Sequence, residues 1–343
     1  MNKSTRILLL VLLLLAGATA ILFYFGRNSN STIKSWDREF AVENAESIHK
    51  IFLADRRGNQ TTLERSGDGW TYNGKYPANQ TVVNSLLEAI TGVELKFIPP
   101  ASAVEPMVKD LATNGIKTEI YAKDGKLLKA YYVGGATPDE TGTYMIMEGS
   151  EQPYVTQLPH LYGAIRIRYA LTGDQWRDKG IFRLDPNRIE YVSVEYPKLK
   201  NRSFILEKKG GEYAVRPFYE TTPPIALPYK KGSAENYLTG FERIIAEAYE
   251  NTNPLRDTIV QRLPFAIITV RTDDGAEKVA RLHPAISSNR HMESAPPVYE
   301  RYLVEVFPQN DFMLLQDRLV TQVLWGYDFF FIDDNQKQQT GNR

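Results

Sequence analysis

The stretch YAKDGKLLKAYYVGG, Tyr121 to Gly135, reads as two short strands around an Asp-Gly turn. TVRTDDGAEKVARLH, Thr269 to His283, writes the same hairpin a second time. It belongs to an ordered series. SIHKIFLA (Ser47 to Ala54) has its counterpart in RIEYVSVEY (Arg188 to Tyr196), and both alternate apolar with polar residues. TTLERSGDGWTY is echoed by FILEKKGGEYAV, with Leu63-Glu64 matching Leu206-Glu207. Each half then changes to helical spacing, through Val82, Val83, Leu86, Leu87, Ile90 and Val93 in the first. Tyr237, Leu238, Phe241, Ile244, Ile245 and Ala248 do the same in the second. After each hairpin, GTYMIMEGSEQPYVTQL is matched by ERYLVEVFPQNDFMLLQ. A chance match accounts for one hairpin, not for an ordered series. The chain therefore reads as α+β: two tandem repeats of a mostly antiparallel sheet, each with one main covering helix.

The repeats set the expected boundaries: a first α+β repeat with its junction over 46–187, and a second over 188–332. A Pro-rich connection in the first leads to a short helix near Met107 to Leu111, and YETTPPIALPYKKG, Tyr219 to Gly232, is an inserted surface loop in the second. Residues 333–343 form a polar tail.

Before the repeats comes a different kind of segment. Ile7 to Phe25 is nineteen residues without a charge, and as a helix it would be about 28 Å long, close to the hydrocarbon thickness of a bilayer. Ala18 to Ala20 resembles a signal-peptidase site, but the apolar ILFYF follows it, which favours an uncleaved signal-anchor. Lys3 and Arg6 precede the run, so residues 1–27 read as a cytoplasmic stub and transmembrane span. Residues 28–45 are a linker, and the body is expected to be periplasmic or extracytoplasmic, on a single-pass inner-membrane protein. Cysteine is absent, which excludes a lipoprotein anchor, disulfides and thiolate metal sites. Basic and acidic residues are equal in number, 41 each, so nothing argues for nucleic acid as a partner.

The sequence offers little catalytic chemistry. Nucleophile elbows, Walker loops and dinucleotide fingerprints are missing, and no catalytic residue, cofactor or metal site is expected. The one local cluster is RLHPAISSNRHMES, where Arg281, His283, Arg290 and His291 form a candidate contact loop for carboxylates or anionic headgroups. RDKGIFRLDP, with Trp176 before it, supplies a candidate structural junction of Trp176, Arg177, Asp178, Arg183 and Asp185 that sets the register between the halves.

Three phrases carry a family resemblance: Gly69 to Ile90 (GWTYNGKYPANQTVVNSLLEAI), Asp124 to Met145 (DGKLLKAYYVGGATPDETGTYM) and Trp176 to Glu195 (WRDKGIFRLDPNRIEYVSVE). Together they resemble a bacterial family called domain of unknown function 4340. The resemblance implies a membrane-tethered envelope protein, since members are often encoded beside gliding-motility-type ABC-transporter components. It carries over no catalytic residues. The expected function is a non-catalytic accessory or scaffold protein of an envelope complex, with an ABC-type permease as partner. A ligand- or glycan-binding module is the alternative, to be supported by exposed aromatics around Trp70, Tyr72 and Trp176 or by an apolar groove. An envelope hydrolase comes third.

Overall fold

Alternation builds the first sheet. β1 (Lys50–Ala54) buries Ile51 and Leu53, β2 (Gln60–Ser66) buries Thr61 and Leu63, and β3 (Gly69–Tyr72) buries Trp70 and Tyr72. A two-residue β4 (Tyr76–Pro77) leads to α1 (Gln80–Gly92), which begins where the Asn79 side chain accepts the amide of Thr81. Val83, Leu86, Leu87, Ala89 and Ile90 of α1 close over the apolar side of the strands. Then come β5 (Glu94–Phe97), α2 (Ala101–Asn114), β6 (Ile116–Tyr121), β7 (Leu127–Ala136), β8 (Thr143–Met147) and β9 (Tyr154–Gln157). Tyr131, Val133, Met145 and Tyr154 complete the core of this unit.

In this computed structural model residues 35–67, 69–285 and 300–332 are described, and the chain divides into two units between Asp178 and Lys179. The second unit opens with β10 (Gly180–Phe182) and continues through β11 (Ile189–Glu195), β12 (Phe204–Lys209) and β13 (Glu212–Pro217). Next are α3 (Ser233–Thr239), β14 (Ile244–Ile245), β15 (Ala248–Tyr249) and α4 (Arg256–Val260). β16 (Ala266–Thr272), β17 (Glu277–Pro284), β18 (Arg301–Phe307), β19 (Asp311–Gln316) and α5 (Asp317–Val320) follow. Its core is separate, built on Val192, Phe204, Tyr237, Phe241, Val304 and Phe330.

Apart from the extra edge strand β4 in the first, the two sheets share one strand order. The first runs β4-β3-β2-β1-β6-β7-β8-β9-β5 and the second β13-β12-β11-β16-β17-β18-β19-β15, every pairing antiparallel. The repeated hairpin also closes the same way twice. Asp124 Oδ1 accepts the amide of Lys126 at 3.0 Å, and Asp274 Oδ1 accepts that of Ala276 at 3.0 Å. The intervening Gly125 and Gly275 have φ of 81° and 78°, where a side chain is disfavoured. Fold class is thus antiparallel sheet with a few helices.

Helix content departs from expectation in both units. The first has two long helices, because the segment around Met107 to Leu111 extends over Ala101–Asn114 with Pro106 in its second turn. In the second unit the helical spacing of Tyr237 to Ala248 misleads. α3 stops at Thr239, where Gly240 caps it, and Ile244-Ile245 pair with β10 instead. Glycine at the helix end and two adjacent β-branched residues favour that break. Phe241 and Ile244 are still buried, so the apolar spacing reported burial rather than helix. The apolar span at 7–25 and the tail lie outside the described residues; among those described, no helix is long and apolar enough to cross a membrane.

Candidate functional site

The candidate contact loop is not a loop where it can be seen. Arg281 and His283 both lie in β17, which pairs with β18 as far as Pro284 opposite Tyr302. His283 is buried, with Nε2 3.0 Å from Oε1 of the buried Glu305. Its imidazole is occupied inside the sheet and is not offered to a partner. Arg281 is exposed and sits over the Phe307 ring at 5.0 Å. Alternation through RLHP continues the strand to Pro284, which pairs only with β18. Arg290 and His291 lie outside the described residues.

The candidate junction divides between the units. Trp176 is fully buried and its indole N–H donates to the Leu171 carbonyl at 2.8 Å. Arg177, also buried, stacks 3.8 Å over Tyr76 and bonds Asp174 at 2.9 Å. The amide of Asp178 donates to the Pro77 carbonyl at 2.8 Å. In the second unit Arg183 follows β10, and Asp185 caps a short turn by accepting the Asn187 amide at 2.9 Å. Trp70 and Tyr72 are buried as well, so the exposed aromatic platform expected of a glycan binder is not formed by these residues and Trp176.

Besides a concavity of about 580 Å³ along residues 38–47, two others of the first unit have the size of small-molecule sites. One is an apolar groove of about 360 Å³ lined by Phe97, Pro100, Ala103, Met107, Tyr144 and Val155. The other, of about 420 Å³, lies where the β1–β2 turn, the end of α2 and the segment 166–172 meet. The β1–β2 turn is rigidly built. Asp55 Oδ1 accepts the amides of Arg57 and Asn59, both at 2.9 Å, and Oδ2 accepts the Asn59 side chain at 2.7 Å. Partial burial raises the Asp55 pKa, but these hydrogen bonds outweigh it and hold the carboxyl below its ordinary range. The turn therefore holds Arg56 and Arg57 at its tip.

Arg166 enters the same cavity from the other side. Its Nη1 donates to the Val133 carbonyl and its Nη2 to the Asn114 carbonyl, each at 2.7 Å. Partial burial pulls its pKa down from the ordinary guanidinium range, although a guanidinium stays charged. Tyr169 is buried behind, with its hydroxyl 3.2 Å from that of Tyr131. Among the described residues, no carboxylate lies within ion-pair distance of Arg56, Arg57 or Arg166. Sequence reading missed this site because its arginines come from distant segments. The local signal was the turn DRRGN, where an Asx turn carries two arginines.

Among the described residues no three His, Asp or Glu side chains gather as metal ligands. The profile of the family described as Domain of unknown function (DUF4340) matches residues 70–261, more than half of the chain. Comparison with curated proteins finds no match.

Proposed function

The chain belongs to the DUF4340 family, and from that premise we propose that it is a non-catalytic accessory or scaffold protein of an envelope complex. It is anchored in the inner membrane by residues 7–25, with the body extracytoplasmic and an ABC-type permease as its partner. We read the two units as copies of one ancestral α+β unit, which their common strand order supports. One observation carries the non-catalytic reading. Each carboxylate whose ionisation the described structure shifts is moved down: Asp55, Glu119, Asp139, Glu207, Glu247 and Asp274. A carboxyl acting as a general acid at neutral pH needs the opposite, a pKa raised toward the working pH. These groups instead hold turns and strand pairs.

The test is purification of the intact protein from its own membranes. A permease-type membrane protein should be recovered in fixed ratio with it, and an alkaline-phosphatase fusion after residue 45 should be active. Recovery of the chain alone, or an inactive fusion, overturns the reading. The apolar groove beside Phe97 and Met107 supports a second reading, a ligand-binding module. In that case a hydrophobic fluorophore should bind the protein and be lost on Met107→Glu.

A further inference from the structure

We propose that the basic cavity of the first unit is a binding site for a phosphate group, held between Arg56 and Arg57 on one side and Arg166 on the other. This goes beyond the accessory role and does not depend on it.

Three features of the cavity point to an anion. Its ionised lining is three arginines against one aspartate, a net charge of 3 − 1 = +2. The single negative group, Asp55, spends both oxygens on its own turn. Arg166 is half-buried and hydrogen-bonded to neutral carbonyls, and the carboxylates that act on it, Asp110 and Asp55, do so from beyond ion-pair distance. An anion in the cavity would meet this partly desolvated charge directly and gain a charge-assisted hydrogen bond. Arg166 uses two of its five N–H donors on the backbone, which fixes its plane and leaves others for a ligand.

The geometry selects phosphate over carboxylate. A carboxylate has two oxygens and is satisfied by one guanidinium in a forked pair. Arginines from separate segments on one lining suit a tetrahedral group with three free oxygens, and a net positive lining favours a phosphate monoester dianion over a singly charged carboxylate. Thr172 on the rim adds a hydroxyl, and the Asn59 and Asn114 amides, each donating one hydrogen to an aspartate, keep a second for such oxygens. The volume exceeds that of a phosphate alone, so the group can belong to a larger molecule. Inorganic phosphate and the phosphoester of a lipid headgroup share this chemistry.

Calorimetric titration of the full-length protein in detergent tests it, with inorganic phosphate, glycerol 3-phosphate and acetate as probes. At least one phosphate probe should bind, and acetate should bind at least tenfold more weakly. A clear preference for glycerol 3-phosphate assigns the site to a headgroup, and the reverse preference to free phosphate. Arg57→Glu, on an exposed turn, should leave the thermal midpoint unchanged and weaken binding about tenfold to a hundredfold, as expected for loss of a charged hydrogen bond. Arg166→Gln should weaken binding likewise, and if it fails to fold, Arg56→Glu replaces it. Absence of binding by both phosphate probes overturns the proposal. So does equal binding of acetate, or phosphate binding that Arg57→Glu and Arg56→Glu leave unchanged.

Discussion

Asp139 and Asp274 show what single polar residues do here. Asp139 accepts the hydroxyls of Thr137 and Thr141, and Asp274 accepts the hydroxyl of Thr272, the amide of Ala276 and the guanidinium of Arg188. These bonds bring both carboxyls from 3.8 down to about 2. A depressed carboxylate contributes stability that is complete above its unfolded pKa and is lost as pH falls through its folded value. Thermal midpoints should accordingly drop between about pH 4 and about pH 2. Asp139→Asn with Asp274→Asn should flatten that drop, and an unaltered pH profile would show that the turns do not need the charge. Arg177 makes a second case. Its stacking on Tyr76 inside the first unit should contribute about 2 kcal/mol, so Arg177→Ala should lower the urea midpoint accordingly. Lysine cannot reproduce a planar stack, and Arg177→Lys should recover less than half. Full recovery by lysine would mean that charge alone matters.

At the scale of elements, packing across β7 turns on a missing side chain. Gly134 lies under α2, and a Cβ there would come 2.7 Å from Leu111 Cδ2 and 3.1 Å from the Tyr144 carbonyl oxygen. Gly134→Val should therefore destabilise the protein by about 1–3 kcal/mol through overpacking. Adding Leu111→Ala should cost less in the Gly134→Val background than in the native protein, which a double-mutant cycle measures. Additive costs would show that helix and strand do not meet there. This contact also marks how far the sequence could be read. Alternation in Lys50–Ala54 and Ile189–Glu195 announced strands, and the spacing of Val83 to Ile90 announced α1, because those patterns are set by local geometry. The spacing of Tyr237 to Ala248 is equally regular, yet Gly240 and a pairing with β10 divide it. Periodicity tells which side chains go inside; what backbone carries them depends on partners distant in sequence. Arg166 and Arg57 fall under the same limit, since 109 positions separate them in the chain and only the fold brings both to one cavity.

For the whole molecule, the division between Asp178 and Lys179 has an energetic meaning. The core of the first unit draws on residues from Phe40 to Trp176, and that of the second on residues from Ile181 to Phe331. No residue serves both clusters, and each contains a complete sheet with its own hairpins. Each unit is also in the size range, about 50–250 residues, at which a single core sustains independent folding. The first unit closes at its edge through its own residues: the Trp176 carbonyl accepts the Asn79 amide, and the Asp178 amide donates to Pro77. Fragments covering 28–178 and 179–343 should each express as folded proteins, with dispersed amide spectra and cooperative unfolding in urea. The cut leaves Arg56, Arg57 and Arg166 together, so the first fragment should keep whatever phosphate affinity the intact chain has. A molten first fragment, with fluctuating side chains and no cooperative transition, would mean that its core needs the second unit. The two sheets would then be one folding unit written twice rather than two domains in series.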